Sequence, residues 1–177
     1  MSSEFGGGVL SSQQLRDLIV RDDGLITGYG DLESQIQPNG FDMRLAEIGL
    51  FAGEGKVTVN NSDRMLPDIE PLAPVDGLFE LQAGVYHITY EETVHFPDNL
   101  MALGRPRSSL ARCGATIHTA VWDAGYSGRS TSMLVVNNPH GVAIEKAARI
   151  MQLVFVTLSE STVQRYSGIY QGENTTR

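Results

Sequence analysis

Arg149-Ile150-Met151-Gln152-Leu153-Val154-Phe155-Val156 is the stretch on which the fold class turns. It is short, dominated by apolar and β-branched side chains, and reads as a strand. Working outward, Ser132-Met133-Leu134-Val135-Val136, Val85-Tyr86-His87-Ile88-Thr89-Tyr90 and Phe79-Glu80-Leu81-Gln82 have the same character. Gly, Pro, Asn and Asp separate them at Gly53–Gly55, Pro67–Pro74, Pro97-Asp98-Asn99 and Asn137-Asn138-Pro139. Many short strands between such breaks indicate a mainly β chain, a sandwich or jelly roll rather than alternating β-α units. Only the beginning departs from this pattern. Ser11 as N-cap, Gln14 completing a capping box and Leu10 with Leu15 as a hydrophobic staple predict a short N-terminal helix. Its face is Leu15, Leu18 and Ile19, and Gly24 is expected to close it. Residues 1–8 are expected to be disordered, 9–163 to form one β domain and 164–177 a flexible C-terminal lid. Asn60–Asp76, polar and Pro-rich, is expected to be a surface excursion.

The 177 residues suffice for one domain with a sizeable core. No apolar run approaches the roughly 20 residues of a membrane helix, and the N-terminus lacks the form of a signal peptide. A soluble, cytoplasmic protein is expected. One cysteine, Cys113, excludes an internal disulfide and a Cys-based zinc cluster; it is expected to be a small buried hydrophobe. The net charge of −8 argues against a nucleic-acid partner. The acids are unevenly spread, however. Between Asn99 and Ile144 the only carboxylate is Asp123, while Arg105, Arg107, Arg112 and Arg129 lie in the same window. A basic island around one acid suits a polyanionic small ligand, which guanidinium forks grip through paired oxygens. Exclusion of carboxylates from buried strands would leave the same pattern.

Three motifs fall on or after this island. Arg107-Ser108-Ser109-Leu110-Ala111-Arg112 offers a guanidinium, two hydroxyls and the start of a helical turn to a phosphate; alone it reads equally as a kinase substrate or a surface turn. Thr119-Ala120-Val121-Trp122-Asp123-Ala124-Gly125-Tyr126-Ser127-Gly128 runs an apolar strand into a hairpin signal that carries an acid and an aromatic ring three residues apart. A turn Asp that bonds only its own backbone is the plain alternative. Tyr166-Ser167-Gly168-Ile169-Tyr170-Gln171-Gly172 suits a lid that orders over a ligand, or a frayed end.

The order and spacing of these motifs, with Gln37-Pro38-Asn39-Gly40-Phe41-Asp42-Met43-Arg44-Leu45 upstream and Gln152 in the last strand, resemble the dUTPase and dCTP deaminase superfamily. The likeness runs from the first helix to the tail and is strongest to archaeal-type dUTPases on the deaminase-like scaffold. It implies a distorted jelly roll that forms a homotrimer with sites between subunits. Arg107, Ser108, Ser109 and Gln152 would then hold a triphosphate, with Arg112 close by. Thr119–Asp123 would read the base and meet the 3′-hydroxyl. Tyr126 would press on the deoxyribose and exclude a 2′-hydroxyl. Tyr166, Tyr170 and Gln171 would belong to the lid.

The superfamily contains triphosphate hydrolases and cytosine deaminases. The deaminases carry a glutamate ten residues beyond the hairpin Asp, where this chain has Met133, which cannot shuttle a proton. The zinc-deaminase route needs P-C-x-x-C, which one cysteine cannot supply. Asp123 is present, so the resemblance implies hydrolysis of dUTP to dUMP and pyrophosphate, with Mg²⁺ held mainly by substrate phosphates and no protein metal site. A dCTP deaminase or bifunctional enzyme, a hydrolase also accepting dCTP, and a non-catalytic nucleotide-binding regulator are the alternatives. The Tyr170-Gln171-Gly172 tail is of the deaminase kind and leaves the ring that covers the base unassigned. Trp122 is expected to be core rather than a wall of the base pocket, and His118 to be structural.

Overall fold

The structure, a computed structural model, describes residues 7–21 and 24–175. Its organising feature is a sheet whose two edge strands are neighbours in sequence. Seven strands lie in the order Ala115–His118, Thr131–Val136, Gly84–Tyr90, Gly40–Ala52, Arg149–Thr157, Leu100–Pro106 and Val121–Trp122, each antiparallel to the next. A flat sheet of this order would hold its edges about 29 Å apart. Thr119 and Ala120 alone connect those edges, a reach of at most about 11 Å. The sheet must therefore curl, and it forms the half-barrel of a dUTPase-like jelly roll. Gly8–Val9 pairs with Arg149–Thr157, while Ile36–Gln37 and Asp68–Leu72 pair with Gly40–Ala52. A small second sheet joins Ile26–Thr27, Thr93–His95 and Ser127–Gly128. The period of two is visible in burial: Ser132, Leu134 and Val136 point inward, and Met133 outward. Phe96 stacks on Phe155 at 5.6 Å inside the curl.

The helix Ser12–Ile19 has the expected capping box, with the Ser11 N–H donating to Gln14 Oε1 at 2.9 Å. Leu10, Leu15 and Ile19 are buried against the sheet, and Leu18 packs beside them. Gly24 does not close the helix. Val20 is the C-cap, its N–H bonding Arg16 O, and Gly24 instead makes a close approach: a Cβ there would come 2.5 Å from the Ile19 carbonyl oxygen. Of the tail expected to be disordered, residues 1–6 lie outside the described residues, and the Gly8 N–H donates to Thr157 Oγ1 at 2.8 Å. The excursion at 60–76 is at the surface but not irregular. Asp68–Leu72 forms a strand on Ile48–Ala52, and Val57, Val59, Met65 and Leu66 are exposed along the arm. Cys113 is exposed, because it is the residue that ends a short helix, Ser108–Arg112.

One buried charge holds the N-terminal segment to the sheet. Glu92 is fully buried; its Oε1 accepts from Arg44 Nε at 2.7 Å and Gln35 Nε2 at 2.8 Å, and its Oε2 accepts from the Arg44 N–H at 2.9 Å. Gln35 Oε1 in turn accepts from the Gly30 N–H at 2.8 Å, and Arg44 Nη2 donates to Gly28 O at 2.8 Å. Removing the carboxylate would leave Arg44 Nε and the Arg44 backbone N–H without their acceptor, and Gln35 Nε2 with only Asp42 O. Glu92→Ala is therefore expected to lower unfolding stability by about 3–5 kcal/mol. Denaturant midpoints measure this, and a shift below about 1 kcal/mol would show the network to be dispensable.

Candidate functional site

The turn between Val121–Trp122 and Ser127–Gly128 carries the first group of candidate residues. Tyr126 N–H bonds Asp123 O at 3.1 Å and Gly125 has φ +86°, a type II turn that requires glycine at its third position. The turn is as expected, but its arms do not pair with each other as a hairpin. Val121–Trp122 pairs with Leu100–Pro106, whereas Ser127–Gly128 pairs with Thr93–His95. The arms are pulled into different sheets, and a cavity of about 360 Å³ opens between them, within the range of small-molecule sites. Trp122, Asp123, Tyr126, Ser130, Tyr166, Tyr170 and Glu173 line it. Asp123 is exposed and Tyr126 is buried. Trp122 is both core and wall: it is buried, its indole N–H donates to Ser130 Oγ at 2.9 Å, and it faces the cavity.

The described part of the C-terminal tail lies against this turn. The Gln171 side chain spans it, Oε1 accepting from Ser127 N–H and Nε2 donating to Gly125 O, both at 3.1 Å. Gly172 N–H bonds Ser127 O at 2.8 Å, and Arg129 N–H bonds Glu173 O at 3.0 Å, so two backbone bonds tie the turns of the tail to the edge of the small sheet. The Tyr166 ring meets Tyr126 edge to face at 5.5 Å. Tyr126 Oη donates to Glu173 Oε1 at 2.8 Å. Burial, together with that carboxylate, pushes the Tyr126 phenol far above its ordinary value. Burial also raises Glu173, the phenol's hydrogen bond opposing it in part. From the arm, the Arg64 guanidinium sits 6.0 Å from the Tyr170 ring centroid.

The second group lies at the far end of Leu100–Pro106. Arg107 caps the helix Ser108–Arg112, on which Ser108, Ser109 and Arg112 are exposed. Arg107 Nε stands 2.9 Å from Asp42 Oδ2, and Arg149 Nη1 stands 3.5 Å from the same oxygen. These are ion pairs without directed hydrogen bonds, and Asp42 Oδ1 has no partner among the described residues. Asp42 is 1% exposed; burial pushes its carboxyl up, and the two guanidiniums pull it down. Gln152 is the register partner of both Asp42 and Arg105 and stands close over Gly40, where a Cβ would come 2.9 Å from its Nε2 and 2.1 Å from Leu153 O. Arg107, Gln152, Ser108 and Ser109 thus lie at one corner of the fold, with Arg149 beside them.

The two groups do not meet within one chain. Trp122 is opposite Ala102, so Asp123 falls at the Met101 end of the strand, and both residues line a second cleft. Arg107 follows Pro106 at the other end. That places their backbones about 20 Å apart. Thr119 lies between, packed toward Gly104 rather than into the cavity. Among the described residues, no three His, Cys, Asp or Glu side chains are grouped to cage a metal ion, and no helix is long and apolar enough to cross a membrane. Glu173, Ser130, Asp42 and Arg149 were not singled out from sequence; the pairing of strands and the fold of the tail bring them in.

A family model described as dCTP deaminase-like matches residues 9–158. The chain belongs to the dCTP deaminase-like family. Within that family its similarity is to proteins named for another reaction. A probable deoxyuridine 5′-triphosphate nucleotidohydrolase of Methanosarcina mazei is 52% identical over 168 residues, covering 94% of this chain and 98% of the relative. The deoxyuridine 5′-triphosphate nucleotidohydrolase of Methanocaldococcus jannaschii is 39% identical over 142 residues, covering 79% of this chain and 89% of its own. The 2′-deoxycytidine 5′-triphosphate deaminase of Agrobacterium tumefaciens shares the fold with a TM-score of 0.67 at 20% identity, over 86% of this chain and 50% of that one. In this dCTP deaminase-like chain Met133 is 37% exposed on its strand, flanked by His87 and His118 on the neighbouring strands. His118 is exposed rather than buried as a core histidine would be.

Proposed function

We propose that this chain is a dUTP diphosphatase, converting dUTP to dUMP and pyrophosphate. The observation that carries the reading is the pairing of an exposed Asp123 at the mouth of an aromatic cavity with Met133 where a deaminase needs its glutamate. Deoxyuridine enters the cavity with its sugar against the Tyr126 ring. Arg107, Ser108, Ser109 and Gln152 hold the triphosphate, Arg107 while keeping its ion pair with Asp42. Asp123 aligns a water molecule on the α-phosphorus and accepts its proton. The water oxygen bonds to phosphorus as the bond to the α,β-bridging oxygen breaks, and pyrophosphate departs. Most of the rate comes from positioning and charge neutralisation rather than covalent chemistry. The tail from Tyr166 acts as the lid over this site.

Membership of the family implies a divalent metal ion. An exposed Asp123 at the cavity mouth, with no grouped donors among the described residues, fits an ion that takes its oxygens mainly from phosphates and water. When bound, Mg²⁺ neutralises triphosphate charge and favours an in-line arrangement. The backbone separation of about 20 Å between Asp123 and Arg107 is long for one triphosphate to bridge, which favours a site shared by adjacent subunits of a homotrimer, Asp123 from one and Arg107 from the next.

Incubation with dUTP, dCTP or dTTP and Mg²⁺, assaying pyrophosphate and ammonia together, tests the reading. Pyrophosphate from dUTP and no ammonia from dCTP is the expected result. Ammonia from dCTP would overturn the reading of Met133. Pyrophosphate from dCTP would mark a broader diphosphohydrolase, consistent with the deaminase-type Tyr170-Gln171-Gly172 tail.

A further inference from the structure

The C-terminal tail carries one acid, Glu173, and delivers it to one atom. Tyr126 Oη donates to its Oε1 at 2.8 Å, across 47 residues of sequence. The seat is prepared on both sides. Glu173 N–H bonds Tyr170 O at 3.1 Å and its carbonyl accepts from Arg129 N–H at 3.0 Å. Gly128 leaves the room: a Cβ there would come 2.7 Å from Tyr126 Oη and 3.3 Å from the Glu173 nitrogen. A carboxylate drawn half out of water costs desolvation that an apolar side chain in the same place would not. What it adds is direction, since a phenol held by an ionised acceptor has one preferred orientation. Ser130 lines the same cavity as Tyr126 and takes the indole N–H of Trp122, the residue next to Asp123.

We infer that Glu173 is a positioning residue: carried in by the tail, its carboxylate fixes the Tyr126 ring and so sets the discrimination between deoxyribo- and ribonucleotides. This rests on the reading of Tyr126 as the wall on which the sugar packs. A ring free to tilt would leave room for a 2′-hydroxyl and would grip the deoxyribose less firmly. Closure of the tail and selection of the sugar are thereby one event, because the clamp on the ring exists only while the tail is seated.

The test compares wild type, Glu173→Ala, Glu173→Gln, Tyr126→Phe and the Ala/Phe double variant, with kcat and KM for dUTP and UTP. Trp122, the only tryptophan of the chain, supplies a readout without turnover. Glu173→Ala is expected to lower kcat/KM for dUTP about tenfold and the dUTP-to-UTP preference by a similar factor, the worth of one charge-assisted hydrogen bond. Glu173→Gln retains an oxygen acceptor and recovers most of the loss. In the Tyr126→Phe background, Glu173→Ala adds less than about twofold, because the bond is already gone. In nucleotide-free protein, Trp122 emission shifts alike in Glu173→Ala and Tyr126→Phe. Additive losses, or an unchanged dUTP-to-UTP preference in Glu173→Ala, would overturn the inference. A wild type that does not hydrolyse dUTP would sink the proposed function instead, and coupled Trp122 shifts would still show Glu173 holding the ring.

Discussion

Replacing Asp123 by Asn is expected to abolish pyrophosphate release from dUTP, by roughly a thousandfold or more, while nucleotide binding stays near wild type. The amide is nearly isosteric with the carboxylate and leaves the turn intact, since the turn is closed by the Asp123 carbonyl and not by its side chain. What is lost is the proton acceptor. The Tyr126 hydroxyl, its phenol driven far up by burial and by Glu173, cannot substitute as a base at neutral pH. Glu173, the other acid lining the cavity, is occupied by that phenol. Single-turnover measurements with dUTP, set beside equilibrium binding of a non-hydrolysable analogue, separate the two effects. Turnover within tenfold of wild type would remove Asp123 from the chemistry. Parallel loss of binding and rate would make it a substrate-holding group instead.

What could be read from sequence is what is encoded locally. The capping box at Ser11 and Gln14 lies within one helical turn, the Asp123–Tyr126 turn depends on Gly125, and the strands at 131–136 and 149–157 show their alternating faces in their own residues. Gly24 was misread because a glycine after a helix signals a cap, whereas here it answers the Ile19 carbonyl pressing on it. Asn60–Asp76 reads as a surface excursion because its prolines and acids obscure the strand Asp68–Leu72, which exists by pairing with Ile48–Ala52. Glu92 finds Gln35 across 57 residues, and Glu173 finds Tyr126 across 47. Nothing near either glutamate in sequence marks it out. The identity of the motifs was legible, but the distance between them was not. That Asp123 and Arg107, sixteen positions apart, face different neighbourhoods follows from the strand between them, which separates its two ends instead of folding them together.

That separation leads to the second large effect. Two inactive variants, Asp123→Asn and Arg107→Ala, are expected to restore activity when mixed, unfolded and reassembled together. In a ring whose sites lie between neighbours, each site takes its acid from one subunit and its guanidinium from the next, a heterologous contact that closes. At equal random mixing about a quarter of the sites then combine an intact Asp123 with an intact Arg107, so activity rises from near zero to about a quarter of wild type. Arg107→Ala alone is expected to be inactive for two reasons. It removes the fork proposed to grip the phosphates, and it leaves the buried Asp42 carboxylate with only the more distant Arg149. Stability of that variant is therefore checked by thermal unfolding before mixing. If both variants fold and assemble yet the mixture stays inactive, the site is contained in one chain and the tail must bring Asp123 and Arg107 together by a motion larger than any seating described above. Recovery near a quarter would instead identify the length of Leu100–Pro106 as the reason for a shared site. By holding the acid and the arginine at its opposite ends, that strand would leave each subunit half a site for a neighbour to complete.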